Sequence, residues 1–431
     1  MRPAGPMKES ATRQFLDGPV QEGSISIGGP GRRPIMKVRP KVAFVFTHQI
    51  QYFTNVLDEL HRRGTIEVLA VYAHQTGRLH DVGFKRVIEW DNRTDRSFRS
   101  VLLSDSAKRQ LGGFSNSFSR ELFSALARFD PDVIHLNGYS TAIQWLGWLW
   151  ALLHRRPIIL RGDGDTLGGN HGKRHVIART SSSLFTRFAD HVFYQGEENR
   201  RYWLARDANA ARLSWIPCVP DNLVFRTSAF ADQEERRNVR LQGRAGDDDV
   251  VFVVSGKLDP RKRPADALMA LKRLNDGRCR VWFLGSGPLE TELRALAVSL
   301  GVDDRVCWWG FRNQTEMPRI LQAADVLLHL SERDPWPYSV LEGAMSGLAL
   351  LLSDCTGSHP DLIQAAGAGE TFICGNIEDL QKKMSSFLEN PSVRTAYKKA
   401  ALVESRRYSE ASFCDIFEKT TTRLVDGTLA K

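Results

Sequence analysis

The chain has 431 residues, 42% of them apolar and 25% charged, with 59 Lys plus Arg against 50 Asp plus Glu. This composition excludes wholesale disorder, and at roughly 100–200 residues per domain the length calls for two or three domains. A net charge of +9 suits an anionic substrate, an anionic lipid surface or nucleic acid and does not choose among them. The six cysteines form no CxxC pair, which leaves a zinc site or a thioredoxin-like motif without support. With no signal peptide evident, reduced thiols in a cytoplasmic protein are the simplest reading. No apolar run reaches the ~20 residues that span a bilayer. The absence of GxGxxG, GxxxxGK[ST] and HExxH argues against a standard dinucleotide oxidoreductase, a P-loop NTPase and a zincin.

Residues 1–35 are rich in Gly, Pro and Ser without apolar periodicity and read as a disordered extension, with Met36 as the natural start. Strands and helices then alternate. Val42–Thr47 is a continuous apolar run, as expected of a strand buried on both faces. Further strands are predicted at Ile66–Tyr72, Asp132–Leu136, Pro157–Leu160 and His191–Tyr194. Helices are predicted at Phe53–Arg63, Ser119–Arg128, Thr141–Leu153, Lys173–Ala189 and Glu197–Leu204. Two prolines interrupt the pattern at Trp215–Asn222, which reads as an interdomain linker. Alternation restarts with strands at Val250–Ser255, Arg280–Leu284, Val306–Trp309, Val326–Leu330 and Ala349–Ser353. The helices among them are Pro264–Leu274, Leu289–Leu300, Glu316–Ala323, Ser339–Ser346, His359–Ala365 and Ile377–Glu389. The prediction is an α/β chain of two Rossmann-like, doubly wound domains, 36–222 and 223–409, facing a cleft. A last helix within 410–431 can dock on either domain.

Four features of the second half carry chemistry. Ser255-Gly256-Lys257-Leu258-Asp259-Pro260-Arg261-Lys262 follows a buried strand and precedes a helix. Glycine permits close backbone approach, and Lys257 and Lys262 can converge on a diphosphate, although a solvated basic turn explains the run equally well. In the stretch from Ser331 to Glu342, Pro337 suits a first helical turn. The N–H groups of Tyr338, Ser339 and Val340 then form an anion site, while Asp334 and Glu342 can face the hydroxyls of one ligand. The bland reading of Glu342 is an exposed helical residue. Gly285 in a tight glycine turn and Phe311 after Trp308-Trp309-Gly310 are individually weak. Packing or turn geometry accounts for both.

In order, GKLDPRK, FLGSGPL, VCWWGF, MPRILQAADVLLHLSERDPWPYSVLEGAMSGLALLLSD and TGSHPDLI closely resemble the carboxyl-terminal half of retaining GT-B glycosyltransferases, the GT4-type or group 1 family. The first half resembles the family more loosely, through HQIQYF, PDVIHLNGY, RPIILRGD and IPCVPDN. The resemblance implies an acceptor domain at 36–222 and a nucleotide-sugar donor domain at 223–409. It puts Lys257 and Lys262 on the donor diphosphate, Glu342 on the ribose and Asp334 beside the transferred sugar. Ser339 and Val340 give N–H groups to phosphate, Gly256, Gly285 and Tyr338 line the donor site, and Phe311 lies near the base. These implied roles make Asp334, Glu342, Lys262 and Lys257 the candidate catalytic set. The family's Arg is commoner where Lys257 stands, and its Glu where Asp334 stands. On the acceptor side the first-strand loop Thr47–Tyr52 lacks the family's glycine. His48 and Gln51 in that loop, Asn137 where relatives often have histidine, and Arg161 and Asp163 are the candidates there. A local ion pair is the alternative reading of the last two. The family implies no cofactor and no metal.

The Trp-rich helix Thr141–Leu153, followed by His154-Arg155-Arg156, reads most simply as a buried helix of the sheet. A peripheral contact with anionic membrane is the other reading, because many relatives act on lipid-linked acceptors. The implied partners are thus a nucleotide-sugar donor and a sugar or lipid-linked acceptor in envelope polysaccharide, lipopolysaccharide or glycolipid synthesis. The implied location is the cytoplasm or the inner face of the plasma membrane. A nucleotide-sugar epimerase of the same fold is the rival. A non-catalytic nucleotide-sugar or nucleic-acid binder ranks last, since no nucleic-acid module is recognisable.

Overall fold

A computed structural model describes residues 39–428, apart from 75–78, 82–85, 89–96, 108–112, 168–172, 222–223, 226–232 and 275. The extension predicted at 1–35, Met36 and the linker residue Asn222 lie outside the described residues. Residues 39–431 pack as one compact unit. In chain order its first strands are β1 (Lys41–His48), β2 (Glu67–His74), a hairpin of β3 (Leu79–Asp81) and β4 (Arg86–Ile88), β5 (Arg99–Leu102), β6 (Val133–Asn137), β7 (Ile158–Arg161), β8 (His191–Tyr194) and β9 (Leu213–Trp215). Apart from the hairpin they form a parallel sheet in the order β5-β2-β1-β6-β7-β8-β9. A second parallel sheet holds β10 (Val250–Ser255), β11 (Cys279–Leu284), β12 (Val306–Gly310), β13 (Val326–His329), β14 (Ala349–Ser353) and β15 (Gly369–Phe372), in the order β12-β11-β10-β13-β14-β15.

The alternation of side chains along each central strand explains why both sheets are covered on both faces. Val250, Phe252 and Val254 enter one core, and Val251 and Val253 enter the opposite one. In the first domain Val42, Phe44 and Phe46 point one way and Ala43 and Val45 the other. The terminal helix Glu410–Val425 settles its docking side here. Phe413, Cys414 and Phe417 complete the core over Phe44 and Phe46, and Arg63 reaches Asp415 at 2.6 Å and Glu418 at 3.3 Å. This helix belongs to the second half in sequence and to the first domain in space.

Several elements lie outside the predicted pattern. Strands β5, β9 and β15 hold only three or four residues and carry no apolar run. Helix Gln233–Gln242 is too polar for a clear apolar stripe, and helix Pro391–Ser405 follows its predecessor after a single residue. The helix Ala142–Leu153 packs on the sheet, as the simpler reading expects, but with one side only. It lies directly on β6, where a Cβ on Gly147 would stand 3.0 Å from the Leu136 side chain, and it buries Ala142, Ile143, Gly147, Trp150 and Ala151. On its other side Leu149 and Leu153 are exposed.

Candidate functional site

In the second sheet β10 and β13 are neighbours whose chains continue to opposite sides, so a crevice opens at their carboxyl ends. The loops that leave them are the two motifs singled out above. Gly256 follows β10 at φ 135° with open space where a Cβ would point, a conformation that favours glycine. Gly285 packs tightly on the same loop. A Cβ there would lie 1.9 Å from the Gly256 carbonyl oxygen, so Gly285 lets β11's exit pack on the Gly256 loop. The Asp259 side chain accepts from the Lys262 N–H at 3.1 Å and closes a short turn that aims Lys262 across the crevice.

Lys262 Nζ pairs with Asp334 Oδ2, and His329 Nε2 lies 3.4 Å from the same oxygen. Burial opposes ionisation of Asp334, but His329 and Lys262 outweigh it and hold the carboxyl well below the usual carboxylate range. Burial in turn lowers the His329 pKa. The backbone fixes this arrangement: Glu332 N donates to Arg261 O at 3.0 Å, Asp334 N to Cys355 O at 3.2 Å and Gly357 N to Asp334 O at 2.8 Å. Lys257 is half-buried in the same loop as Lys262.

Helix Tyr338–Met345 starts after Pro337. The Val340 N–H is 3.2 Å from the Pro337 carbonyl, and its side chain is fully buried. Val340 is therefore committed to the turn, and Tyr338 and Ser339 are the positions whose N–H groups have no intrahelical acceptor. Glu342 is 3% exposed, which removes the reading of a surface residue. Its Oε1 accepts from Tyr52 Oη at 3.3 Å, and the Tyr52 ring stacks on Tyr338 with centroids 3.8 Å apart. Burial pushes the Glu342 pKa up to about 7, against the hydrogen bond from Tyr52. The two carboxylates thus have different company: Asp334 sits with a lysine, Glu342 under a tyrosine from the other domain. Phe311 is half-buried beyond the edge strand β12.

The first domain's candidates also gather at strand ends. His48 ends β1, and burial followed by the nearby His74 lowers its pKa. Gln51 opens helix Gln51–Arg63, and Asn137 ends β6. Arg161 is 3% exposed, donates to Asn137 Oδ1 and to Cys218 Sγ, each at 3.3 Å, and lies 4.8 Å over the Phe53 ring. Asp163 accepts from Gln195 instead, so the local Arg161–Asp163 ion pair gives way to other partners. Sequence reasoning missed Tyr52, His329 and the pair Arg333–Asp165, at 3.2 Å, which ties the loop after β13 to the loop after β7. The Glu197 N–H also reaches the Asp361 carboxylate across the domains at 3.1 Å. Among the described residues no cluster of three or more His, Cys, Asp or Glu side chains could hold a metal.

Comparison with known proteins agrees with this fold. A model described as a glycosyl transferase 4-like domain matches residues 49–218, and one for glycosyl transferases group 1 matches residues 235–403. Lipopolysaccharide 1,6-galactosyltransferase of Salmonella typhimurium is 28% identical over 138 residues, 31% of this chain and 38% of that protein. Sulfoquinovosyl transferase SQD2 of Arabidopsis thaliana is 28% identical over 309 residues, 68% of this chain and 57% of that protein. The matches therefore span well under two thirds of these relatives. Among solved structures, sucrose-phosphate synthase of Thermosynechococcus elongatus superposes with a TM-score of 0.69 at 15% identity, covering 90% of this chain and all of that one. Anabaena HepE, solved with UDP, superposes at 0.67 and 16% identity, covering 89% and 99%.

Proposed function

Since this chain belongs to the group 1, GT4-type glycosyltransferases of GT-B fold, we propose that it transfers a sugar from a nucleotide-diphosphate sugar to an acceptor hydroxyl with retention of configuration. The observation that carries this reading is the convergence of Lys262, Asp334 and the start of helix Tyr338–Met345 at one switch point, with Glu342 one turn further in. Lys262, Lys257 and the N–H groups of Tyr338 and Ser339 would meet the diphosphate. Fixed charges aimed at a leaving group need no reorganisation as negative charge develops there. Glu342 would accept from the ribose hydroxyls once Tyr52 releases it, and Asp334 would accept from a hydroxyl of the transferred sugar.

In the step itself the anomeric carbon–oxygen bond to the diphosphate breaks through an oxocarbenium-like state. The acceptor oxygen bonds to the same face of that carbon, and its proton passes to the departing diphosphate. These cations can carry the leaving charge without a metal. We place the acceptor in lipopolysaccharide or glycolipid assembly at the cytoplasmic face of a membrane; a relative named lipopolysaccharide 1,6-galactosyltransferase supports the first of these. A thermal-shift panel of UDP-, GDP- and ADP-sugars tests the donor class, because a ligand that binds only the folded state raises its apparent stability. A flat panel would remove the reading. Donor incubated alone separates transfer from epimerisation: an epimerase converts the sugar with no acceptor present. That rival has a fold-level relative in a putative UDP-N-acetylglucosamine 2-epimerase of Listeria monocytogenes, with a TM-score of 0.56.

A further inference from the structure

Two half-buried thiols stand behind the donor crevice, and the proposed chemistry uses neither. Cys355 follows β14 and Cys374 follows β15, neighbouring strands of the second sheet. Ser353 is paired in register with Phe372, so each cysteine lies two residues past a registered pair and on the same face. Beyond the strands the two exits stay together: Asp354 N donates to Phe372 O and Cys374 N to Asp354 Oδ1, each at 2.9 Å. Parallel strands run about 4.8 Å apart, within the roughly 4.4–6.8 Å between Cα atoms that a disulfide spans. The other cysteines are placed differently. Cys218, Cys279 and Cys414 are buried, and Cys307 lies on β12 at the opposite edge of the sheet.

The two thiols act on each other. Burial raises both, and the Cys374 thiol adds to the rise at Cys355, which reaches about 12. At Cys374 a hydrogen bond from Cys355 and the Arg263 guanidinium oppose burial, while Asp354 and Asp266 act with it. Cys374 is therefore the easier thiol to ionise, with Cys355 as the donor to its sulfur. Ile373 and Gly375, on either side of Cys374, are exposed, so a small reactant can reach the pair.

Their position ties them to the donor loops. Cys374 Sγ lies 3.7 Å from Ser331 O. Cys355 O accepts from Asp334 N at 3.2 Å, and Gly357 N donates to Asp334 O at 2.8 Å. The Asp334 backbone is thus held on both sides by the chain around Cys355. On the lysine side, a Cβ on Gly375 would stand 3.1 Å from Nη2 of Arg263, the residue after Lys262. A bond between the two sulfurs would take Cys374 from Ser331 and turn Cys355 beneath Asp334.

We propose that Cys355 and Cys374 are a redox modification site: a low-molecular-weight disulfide such as oxidised glutathione converts them to an intramolecular disulfide, which weakens donor binding at Asp334. Cys374, as the thiolate, attacks one sulfur of the reactant, forms a mixed disulfide and expels a thiolate that takes up a proton. Cys355 then loses its proton to solvent, attacks the Cys374 sulfur and expels the second thiol. Two protein thiols are oxidised and one small disulfide is reduced to two thiols, with no other reactant. Excess thiol drives the exchange backwards and restores the pair. Only the effect on donor binding rests on the glycosyl-transfer reading.

The test uses the full chain, reduced, freed of reductant and incubated with excess oxidised glutathione at mildly alkaline pH. Remaining thiols are alkylated and the peptides mapped by mass spectrometry. A peptide pair joined through Cys355 and Cys374 is expected, and dithiothreitol should remove it. Cys355→Ser should instead accumulate glutathione on Cys374, because the resolving thiol is gone, and Cys374→Ser should take up far less. The nucleotide sugar that gives the reduced chain its largest thermal shift is then titrated into both forms by calorimetry. Its affinity should fall at least about tenfold on oxidation, the worth of one hydrogen bond to a charged group. Reductant should restore that affinity, and C355S/C374S should not respond to the oxidant. Absence of the joined peptide overturns the proposal, as does a link that non-reducing electrophoresis shows to join two copies. Equal affinity of the oxidised and reduced forms overturns the effect on the donor site. If the joined peptide forms and no nucleotide sugar binds the reduced chain, the modification site stands and the proposed chemistry fails.

Discussion

The two sheets end in crevices of opposite character. After β10 the chain turns through Gly256, whose Cβ position faces open space, and puts Lys257 and Lys262 beside the crevice. After β1 it passes through Thr47-His48-Gln49-Ile50-Gln51-Tyr52 without a glycine, and Tyr52 projects as far as the other domain. One crevice is shaped by backbone and fixed charge, as suits a phosphate that every donor shares. The other is shaped by side chains, which under the proposed transfer would suit an acceptor that differs from enzyme to enzyme.

The sharpest way to break this contrast is Lys262→Ala. If the donor crevice works by fixed charge, kcat should fall by about 10²–10³-fold, the range measured when a single charge-stabilising donor is removed elsewhere. Steady-state kinetics of the purified variant checks this, with its melting curve as the control for folding. Turnover near that of the parent would mean that Lys262 serves only to neutralise Asp334.

Glu342 gives the next largest effect, through pH. Its folded pKa of about 7 stands above the ordinary 4.5, so between those values the folded chain binds more protons than the unfolded one. Stability then falls as pH rises from about 4.5 to 7 and levels off above, by an amount on the order of 3 kcal/mol. Asp361, raised to about 6 by burial, tilts the curve the same way. The difference between the parent and Glu342→Gln is therefore the quantity to measure, by denaturant melts across that interval. Parallel curves would remove the upward shift assigned to Glu342.

The same contrast explains what was legible in the sequence. The central strands could be read because a strand buried on both faces is a continuous apolar run, as in Val250–Ser255. The donor loops could be read because glycine, proline and paired charges at strand ends mark backbone geometry. At Gly285 the glycine is required by packing, since a Cβ there would lie 1.9 Å from the Gly256 carbonyl oxygen, which the sequence alone does not tell apart from close approach to a ligand. Val340 shows the same limit for a helix start, since Pro337 decides which N–H groups are left over. Tyr52 was not legible, because its contacts with Glu342 and Tyr338 depend on how two domains meet across nearly three hundred residues of sequence. The docking of Glu410–Val425 on the first domain was out of reach for the same reason.

Tyr52→Phe sharpens the contrast from the acceptor side. It keeps the stack on Tyr338 and removes the hydroxyl that holds Glu342. If that hydroxyl occupies the place of a ribose hydroxyl, the variant should bind the nucleotide sugar more tightly, by up to about fivefold, the worth of about 1 kcal/mol for one hydrogen bond. Weaker binding in calorimetry would instead make Tyr52 a part of the donor site.

The smallest effect belongs to Arg333. Its guanidinium reaches the buried Asp165 at 3.2 Å, but the Arg333 side chain is itself 52% exposed, so solvent screens much of the attraction. Arg333→Ala should cost under about 1 kcal/mol in a denaturant melt. A larger loss would place the strength of the domain contact in this pair. Two further contacts between the domains are less exposed: Tyr52 stacked on Tyr338, and the Glu197 N–H on the Asp361 carboxylate. Because Arg333 is the residue before Asp334, a change in donor affinity without a change in stability would show that the first domain tunes the donor crevice through the loop after β13 rather than by holding the domains together.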